Sequence, residues 1–248
     1  MRKIAIVTGA NKGIGKSIAE ELLRAGISLM VTHYEPDEDA APAIAELQKL
    51  AKANNAKLVS CRFDLADMDG IQKLFDQTEK ELGPIDIFIA NGGAHIPPKP
   101  LVEITEKEFA LLCNANFKGN FFCVQECAKR MKEEGRIILI SSSTVSYPVE
   151  GLSLYSSIKA ALEMLVKTAV MELSVKKIRI NAIAPGVTDT DNAEGGLGRA
   201  FFDEVKRNTP LNRVGTPKDI GNIVRLLCSE AADWINGQII VANGGGKF

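Results

Sequence analysis

The chain has 248 residues, of which 46% are apolar and 25% are charged, with 30 basic against 31 acidic side chains. A chain of this length can bury a sizeable core, which excludes a disulfide- or metal-stapled mini-protein, and the balanced charge argues against a general nucleic-acid binder. It contains no run of about 18 apolar residues that could span a bilayer. Its five cysteines, none in a CxxC pair, favour a reduced cytoplasmic protein, and two histidines far apart give little support for a zinc site.

Short apolar runs alternate with stretches of helical periodicity along the whole chain. Strands are predicted over 4–7, 29–32, 58–63, 85–90, 136–141, 178–183 and 238–241. Helices are predicted over 14–24, 39–53, 70–82, 105–131, 153–173 and from 217 onward. Thr105 and Glu108 have the spacing of a capping box, and Thr216 followed by Pro217 is typical of a helix start.

Strands separated by helices indicate right-handed βαβ units, and so an α/β fold. We predict a doubly wound parallel sheet of the Rossmann type, in three α/β/α layers, that forms a single domain over residues 1–248. Ligands of such sheets bind beyond the carboxyl ends of the strands. The glycine-rich segment 186–200 follows the sixth strand on that side, so we predict a substrate lid over 186–212, with a plain surface loop as the alternative.

A glycine-rich loop joins the first strand to the first helix. It reads Thr8-Gly9-Ala10-Asn11-Lys12-Gly13-Ile14-Gly15, a G-x-x-x-G-x-G spacing. Glycines let the backbone turn sharply and approach a pyrophosphate, while the helix N-terminus offers unpaired N–H groups to phosphates. Glycines also serve ordinary turns, but the place of this loop after the first strand of a doubly wound sheet favours dinucleotide binding.

A second motif lies around the fifth strand. Tyr155 and Lys159 are four residues apart and therefore share one face of the 153–173 helix. A tyrosine hydroxyl can act as acid and base near neutral pH when a lysine ammonium beside it stabilises the phenolate. Ser142 stands at the end of the fifth strand, where it could hydrogen-bond a substrate carbonyl or simply serve a turn. A serine hydrolase is disfavoured because the chain has no G-x-S-x-G elbow.

Together these motifs resemble the short-chain dehydrogenase/reductase family over essentially the whole chain. The resemblance rests on T-G-x-x-x-G-x-G in the glycine loop, on Y-x-x-x-K, and on the serine thirteen residues before the tyrosine. It implies reversible hydride transfer between a nicotinamide and a carbonyl or secondary alcohol. In that scheme Tyr155 is the acid/base, Lys159 holds the ribose hydroxyls, Ser142 orients the carbonyl and Asn116 anchors a relay water.

The resemblance also implies a set of residues that contact the dinucleotide. They are Thr8, Gly9, Asn11, Lys12, Gly13, Ile14, Gly15, Tyr34, Asp64, Leu65, Asn91, Gly92, Tyr155, Lys159, Pro185, Gly186, Thr188 and Thr190. Asp64 and Asn91 correspond to the residues that lie beside the adenine, and Thr190 is placed to bond the carboxamide. No metal site is implied.

The chain departs from the family pattern at two places. The N-N-A-G expected after the fourth strand reads Asn91-Gly92-Gly93-Ala94, and the extra glycine is expected to loosen that turn. Near the C-terminus, Asn243 replaces the aspartate of D-G-G. Neither departure involves the residues proposed to react.

The choice between NADP(H) and NAD(H) depends on charges near the second strand. An acid just after that strand bonds the ribose 2′-OH and repels a 2′-phosphate. This chain has neutral Tyr34 at the aligned position, Glu35 one residue later, and Lys12 in the glycine loop. We predict NADP(H), because pairing of a cation with phosphate discriminates more strongly; NAD(H) is the alternative.

Partners are implied mainly by the resemblance. Phe117, Phe121 and Phe122 crowd one helix that in this family pairs with its own copy, which implies a homotetramer built from dimers. A basic cluster at 129–132 is a solvated face or a docking site for an acyl carrier protein. The leading prediction is a carbonyl reductase or alcohol dehydrogenase acting on a small molecule. The alternatives are a 3-oxoacyl-[acyl-carrier-protein] reductase and a non-catalytic dinucleotide sensor; no membrane or nucleic-acid partner is expected.

Overall fold

The computed structural model of the chain describes residues 2–190 and 193–246, with only the backbone of 193–199. Over these residues, seven parallel strands form one sheet in the order β3-β2-β1-β4-β5-β6-β7. The strands are β1 Ile4–Val7, β2 Ser28–His33, β3 Leu58–Arg62, β4 Ile87–Ala90, β5 Arg136–Ile140, β6 Arg179–Pro185 and β7 Ile239–Ala242. The predicted fold class, a doubly wound parallel sheet, is confirmed.

Helices cover both faces of the sheet. They are α1 Gly13–Arg24, α2 Asp37–Ala53, α3 Met68–Glu81, α4 Glu106–Leu112, α5 Gly119–Arg130, α6 Ser153–Leu173, α7 Ala193–Asn208 and α8 Pro217–Leu227. One apolar core lies on the side of α1, α2 and α8, and a second on the side of α3, α5 and α6. The apolar runs of β1, β4 and β5 are buried between them, as strands covered on both faces require.

The order of the strands reverses between β1 and β4. From β1 the chain moves outward through β2 and β3, and it then returns to β4 on the other side of β1. Such a switch point leaves a crevice at the carboxyl ends of the two central strands, and ligands of doubly wound sheets bind there. The loops after β1 and β4 therefore frame the place where a ligand is expected.

The helix predicted over 105–131 is interrupted. A capping box of Thr105 and Glu108 starts α4, as predicted, but residues Cys113–Lys118 then form a π-helical segment before α5 begins. Within this segment, Asn116 Nδ2 donates to Ala94 O at 2.9 Å, in the turn after β4. Helical periodicity alone did not indicate this change, because π-turns are short and carry no distinct apolar repeat.

The segment predicted as an irregular lid contains a helix. Residues Ala193–Asn208 form α7, so the loop predicted over 186–200 is wrong in its second half. The helix was not predicted because three glycines lower the helix propensity of this stretch. Its later part contains the buried Val205, whose carbonyl accepts from Thr209 Oγ1 at 2.7 Å. Residues 191–192 of the predicted lid lie outside the described residues.

The remaining elements agree with the prediction to within about two residues at each end. Gly26, with a φ of +74°, ends α1 as predicted, and the Thr216 capping box with Pro217 starts α8. In the described part of the chain, no helix is both long and apolar enough to cross a membrane. Across residues 2–190 and 193–246, no cluster of histidine, cysteine and acidic side chains could hold a metal ion.

Candidate active site

The glycine loop forms a backbone cradle at the switch point. Gly9 has a φ of +64°, a left-handed conformation that glycine adopts at no steric cost. A Cβ on Gly15 would lie 2.0 Å from Gly9 O and 2.4 Å from Asn91 Nδ2, so no side chain fits where α1 begins. The cradle therefore leaves backbone N–H groups at the N-terminus of α1 exposed to a bound phosphate, and its shape fits a dinucleotide.

The turn after β4 is held to the glycine loop by one side chain. The backbone N–H groups of Asn91 and Gly92 both donate to Thr8 Oγ1, at 3.0 and 2.9 Å. In return, Asn91 Nδ2 donates to Thr8 O and Gly9 O at 3.0 and 2.9 Å. The expectation that the extra glycine loosens this turn is therefore wrong, because four hydrogen bonds fix Asn91 and Gly92 in place.

A cleft extends from the cradle toward β2 and β3. Predicted cofactor residues line it, namely Gly9, Asn11, Lys12, Tyr34, Asp64, Leu65 and Gly92, together with Glu35. The Tyr34 side chain is 66% exposed at its rim. Asp64 shapes the far wall, where its Oδ1 accepts from Ala66 N at 2.8 Å.

Charges at the end of this cleft are already paired. Lys12 forms an ion pair with Glu35, and Asn11 Nδ2 donates to the other carboxylate oxygen at 3.0 Å. Burial opposes ionisation of Glu35, but these bonds and the Lys12 charge outweigh it and lower its pKa to about 2. Glu35 is thus a carboxylate at neutral pH, and Lys12 is its partner.

Two residues that the sequence did not single out support the same corner. The buried His33 contacts the Glu35 carbonyl through Nδ1 at 2.9 Å, and Arg62 Nε donates to Tyr34 O at 3.1 Å. The register of the sheet places them side by side, since His33 on β2 pairs with Arg62 on β3. Only the strand order reveals this, because the two residues are 29 positions apart in sequence.

The predicted reactive residues meet at the carboxyl end of β5. Lys159 is buried on α6, and its Nζ donates to Ile140 O at 2.8 Å and lies 5.6 Å from the centre of the Tyr155 ring. Ser142 follows β5, and its hydroxyl accepts from Thr144 N and Thr144 Oγ1 at 3.3 and 3.0 Å. The Ser142 hydroxyl therefore caps the turn after β5, as one of its two interpretations predicted, and its contact with a substrate carbonyl stays a prediction.

Asn116 reaches the same region from the π-helical segment. Its Nδ2 donates to Ala94 O at 2.9 Å and to Leu112 O at 3.1 Å. A Cβ on Gly93 would lie only 2.1 Å from Asn116 Oδ1. The absence of a side chain at Gly93, in the turn after β4, thus provides the space that the Asn116 amide occupies.

The segment after β6 closes the crevice from the other side. β6 ends at Pro185, and a Cβ on Gly186 would lie 2.6 Å from the Cβ of Asn243. Thr188 Oγ1 donates to Gly186 O at 3.0 Å. The methyl of Thr190 lies 3.4 Å from where a Cβ of Gly13 would stand, so this segment lies against the glycine loop.

His95 contacts the predicted acid/base directly. The His95 and Tyr155 rings meet edge to face, with centroids 6.3 Å apart. His95 follows β4 and is exposed, so it stands at the open side of the site.

The basic cluster at 129–132 is surrounded by acids. Lys129 pairs with Glu126, and Lys132 pairs with Asp86 at 3.1 Å. Arg130 contacts three carboxylates, those of Asp76, Glu79 and Glu126. These pairs neutralise the positive charge on which the suggestion of acyl carrier protein docking rested.

Comparison with known proteins gives a consistent result. The family model that matches residues 9–247 is described as enoyl-(acyl carrier protein) reductase. A short-chain type dehydrogenase/reductase from Picea abies is 32% identical over 98% of this chain and 92% of that protein. Versicolorin reductase stcU from Emericella nidulans is 35% identical over 98% of this chain and 95% of that protein.

A solved structure extends the similarity to the whole fold. A 7α-hydroxysteroid dehydrogenase complexed with NADH and 7-oxo glycochenodeoxycholic acid is 32% identical, with a TM-score of 0.91 over 98% of this chain and 94% of that one. Because nearly all of each chain is covered at this TM-score, the two proteins share the whole fold. The chain therefore belongs to the short-chain dehydrogenase/reductase family and is an oxidoreductase that uses a nicotinamide dinucleotide.

Proposed function

We propose that this enzyme interconverts a carbonyl and a secondary alcohol with NADP(H), using Tyr155 as the acid/base. The observation that carries the proposal is the position of Tyr155 and Lys159 at the end of β5, where Lys159 Nζ donates to Ile140 O, two residues before Ser142. A sensor that only bound the dinucleotide would need the cradle but not this group of polar side chains. The geometry therefore favours catalysis over the non-catalytic alternative.

The cofactor would lie along the cradle and the cleft, held by the residues named above from Thr8 to Thr190. When bound, it supplies or accepts the hydride. The Tyr155 hydroxyl holds the proton that the carbonyl oxygen receives as it becomes an alcohol oxygen. The Ser142 hydroxyl would orient that oxygen, and the Lys159 ammonium, 5.6 Å from the centre of the Tyr155 ring, would hold the ribose hydroxyls. Asn116 anchors a water that returns protons from solvent.

The preference for NADP(H) is supported by the charges at the end of the cleft. Tyr34 puts no negative charge at the position where an aspartate would repel a 2′-phosphate, and Lys12 lies next to it. Glu35 opposes the preference, but Asn11 would remain as its partner when Lys12 turns to a phosphate. Arg62 adds a second cation beside Tyr34. NAD(H) stays the alternative, and kcat/KM measured with both cofactors decides between them.

We also propose a homotetramer, a cytoplasmic location and a substrate lid over 186–212. Phe121 and Phe122 on α5 are 38% and 37% exposed, and Met164 on the neighbouring α6 is 57% exposed. Together they form an apolar surface suited to pairing with a second copy.

The cytoplasmic location is supported by the cysteines, which are free, as expected in a reducing compartment. The lid lies beside the site because it follows β6.

A second candidate is a 3-oxoacyl-[acyl-carrier-protein] reductase. It is favoured by the description of the matching family model, which names an acyl carrier protein. The basic cluster gives it little support, because the acids beside Lys129, Arg130 and Lys132 reduce the net positive charge that an acidic partner would meet. Acetoacetyl thioesters compared with polycyclic ketones, simple ketones, sugars and quinones would separate the two.

The test of the proposed chemistry is the Tyr155→Phe variant in an NADPH-oxidation screen over that panel. The variant should lose turnover by at least about 100-fold, the usual contribution of a general acid, while its Kd for the cofactor stays within twofold. Near-normal turnover of Tyr155→Phe would contradict the acid/base assignment. If the wild type bound the cofactor tightly and reduced no carbonyl, the sensor would be the better interpretation.

A further inference from the structure

One buried carboxylate lies close to the site and has no part in the chemistry described above. Glu163 is on α6, one turn after Lys159, and its side chain is 8% exposed. Its Oε1 accepts a hydrogen bond from the Ser141 hydroxyl at 2.7 Å, and both groups are buried. Burying a carboxylate is costly unless a bond compensates for it, so a buried acid at this place requires an explanation.

The end of β5 is attached to α6 at two successive residues. Ile140 accepts from Lys159 through its carbonyl, and Ser141 donates to Glu163 through its hydroxyl. Lys159 and Glu163 are four residues apart and share one face of the helix, as the two attachments require.

We infer that Ser141 and Glu163 form a positioning pair that sets the distance between Ser142, just after β5, and Tyr155 on α6. The two reactive hydroxyls lie on different elements, and the Ser141–Glu163 bond joins those elements close to both. Loss of the bond would let the end of β5 shift relative to α6. A displacement of about 1 Å between reacting groups can cost about 100-fold in turnover. The inference rests on the proposed roles of Ser142 and Tyr155.

Two substitutions of Glu163 distinguish the effect of losing the hydrogen bond to Ser141 from the effect of changing the side-chain volume. Glu163→Gln keeps an oxygen that accepts from Ser141, whereas Glu163→Met fills similar space without an acceptor. We expect kcat to fall about 10- to 100-fold in Glu163→Met and to stay within about threefold in Glu163→Gln. The KM and Kd for the cofactor should stay within twofold in both. Glu172→Met, which removes an exposed acid from the same helix, should leave kcat unchanged.

The partner residue supplies the second half of the test. Ser141→Ala should lower kcat as Glu163→Met does, and the Ser141→Ala/Glu163→Met double variant should be no slower than either single variant, because both remove one bond. The double variant also leaves no buried polar group without a partner, so it should fold even if Glu163→Met is unstable.

Three outcomes would overturn the positioning pair. They are equal losses in Glu163→Gln and Glu163→Met, additive losses in the double variant, or a fall in thermal stability without a fall in kcat. Tyr155→Phe is measured in the same assay. If it retains turnover, the proposed function has failed, whereas a normal Glu163→Met beside an inactive Tyr155→Phe rejects only the pair.

Discussion

Replacement of Gly15 by alanine tests whether the cradle has the shape that a dinucleotide needs. The new Cβ would lie 2.0 Å from Gly9 O, a contact that real structures do not show below 3.0 Å, so the loop must move by about 1 Å. Such overpacking costs about 1–3 kcal/mol. Movement of Gly9 O also disturbs the 2.9 Å bond from Asn91 Nδ2, which costs about 1 kcal/mol more. We expect the free energy of unfolding to fall by about 2–4 kcal/mol.

The same displacement should weaken cofactor binding. Backbone N–H groups that donate to a charged phosphate contribute about 1.5–3 kcal/mol each, so loss of one bond raises the Kd about 10- to 100-fold. Denaturant titration measures the free energy of unfolding, and calorimetric titration with NADPH and NADH measures the cofactor Kd.

Gly26→Ala is the matched control for backbone strain. Gly26 has a φ of +74°, but the nearest atom to its Cβ position is 3.9 Å away. The Gly26→Ala variant should lower the free energy of unfolding by about 1–2 kcal/mol, because alanine disfavours the left-handed conformation, and it should leave the cofactor Kd unchanged. The reasoning is refuted if Gly15→Ala binds cofactor as the wild type does, or if Gly26→Ala weakens binding equally.

Three further predictions concern charge, assembly and thiols. Glu35→Gln should raise kcat/KM for NADPH relative to NADH by about tenfold because it frees Lys12 for a 2′-phosphate, and a shift toward NADH would contradict this. Phe121→Glu should convert the assembly to smaller species in light scattering, since a charge cannot be buried unpaired in an interface; an unchanged mass would reject α5 as the contact. Burial raises the pKa of Cys123 to about 12, so at pH 8 iodoacetamide should label that thiol only after unfolding, and labelling of the native protein would contradict the burial.

Much of the fold followed from local patterns. The buried strands were recognisable because runs such as those of β4 and β5 are apolar throughout, and the caps at Thr105 and Thr216 marked helix starts correctly. The π-helical segment and α7 were not predicted. The first depends on a contact between Asn116 and the turn after β4, which no local periodicity encodes. The second contains glycines that lower helix propensity, and the buried Val205 shows that packing favours the helix.

As with the fold, the sequence revealed the parts of the site that are formed by residues close in sequence and missed those formed by residues far apart. The glycine loop and the Tyr155–Lys159 spacing are local, so the sequence identified them. His33 and Arg62 support one corner of the cleft only because β2 and β3 are neighbours in register. Glu163 was missed because its partner Ser141 is 22 residues away and on another element.

A net charge of −1 conceals how the charges at this site are arranged. Lys12 is paired with Glu35 at the exposed end of the cleft, where water reduces the strength of an ion pair. Lys159 is buried, and its Nζ donates to the backbone carbonyl of Ile140. That carbonyl is neutral, so it does not cancel the charge of the ammonium group. In the proposed function, the exposed pair exchanges partners when a 2′-phosphate binds, whereas the buried Lys159 keeps its position beside Tyr155. On the proposed assignment, cofactor choice depends on the exposed Lys12 and acid/base chemistry on the buried Lys159, so we expect substitutions at Glu35 to change the cofactor preference without changing the acid/base chemistry.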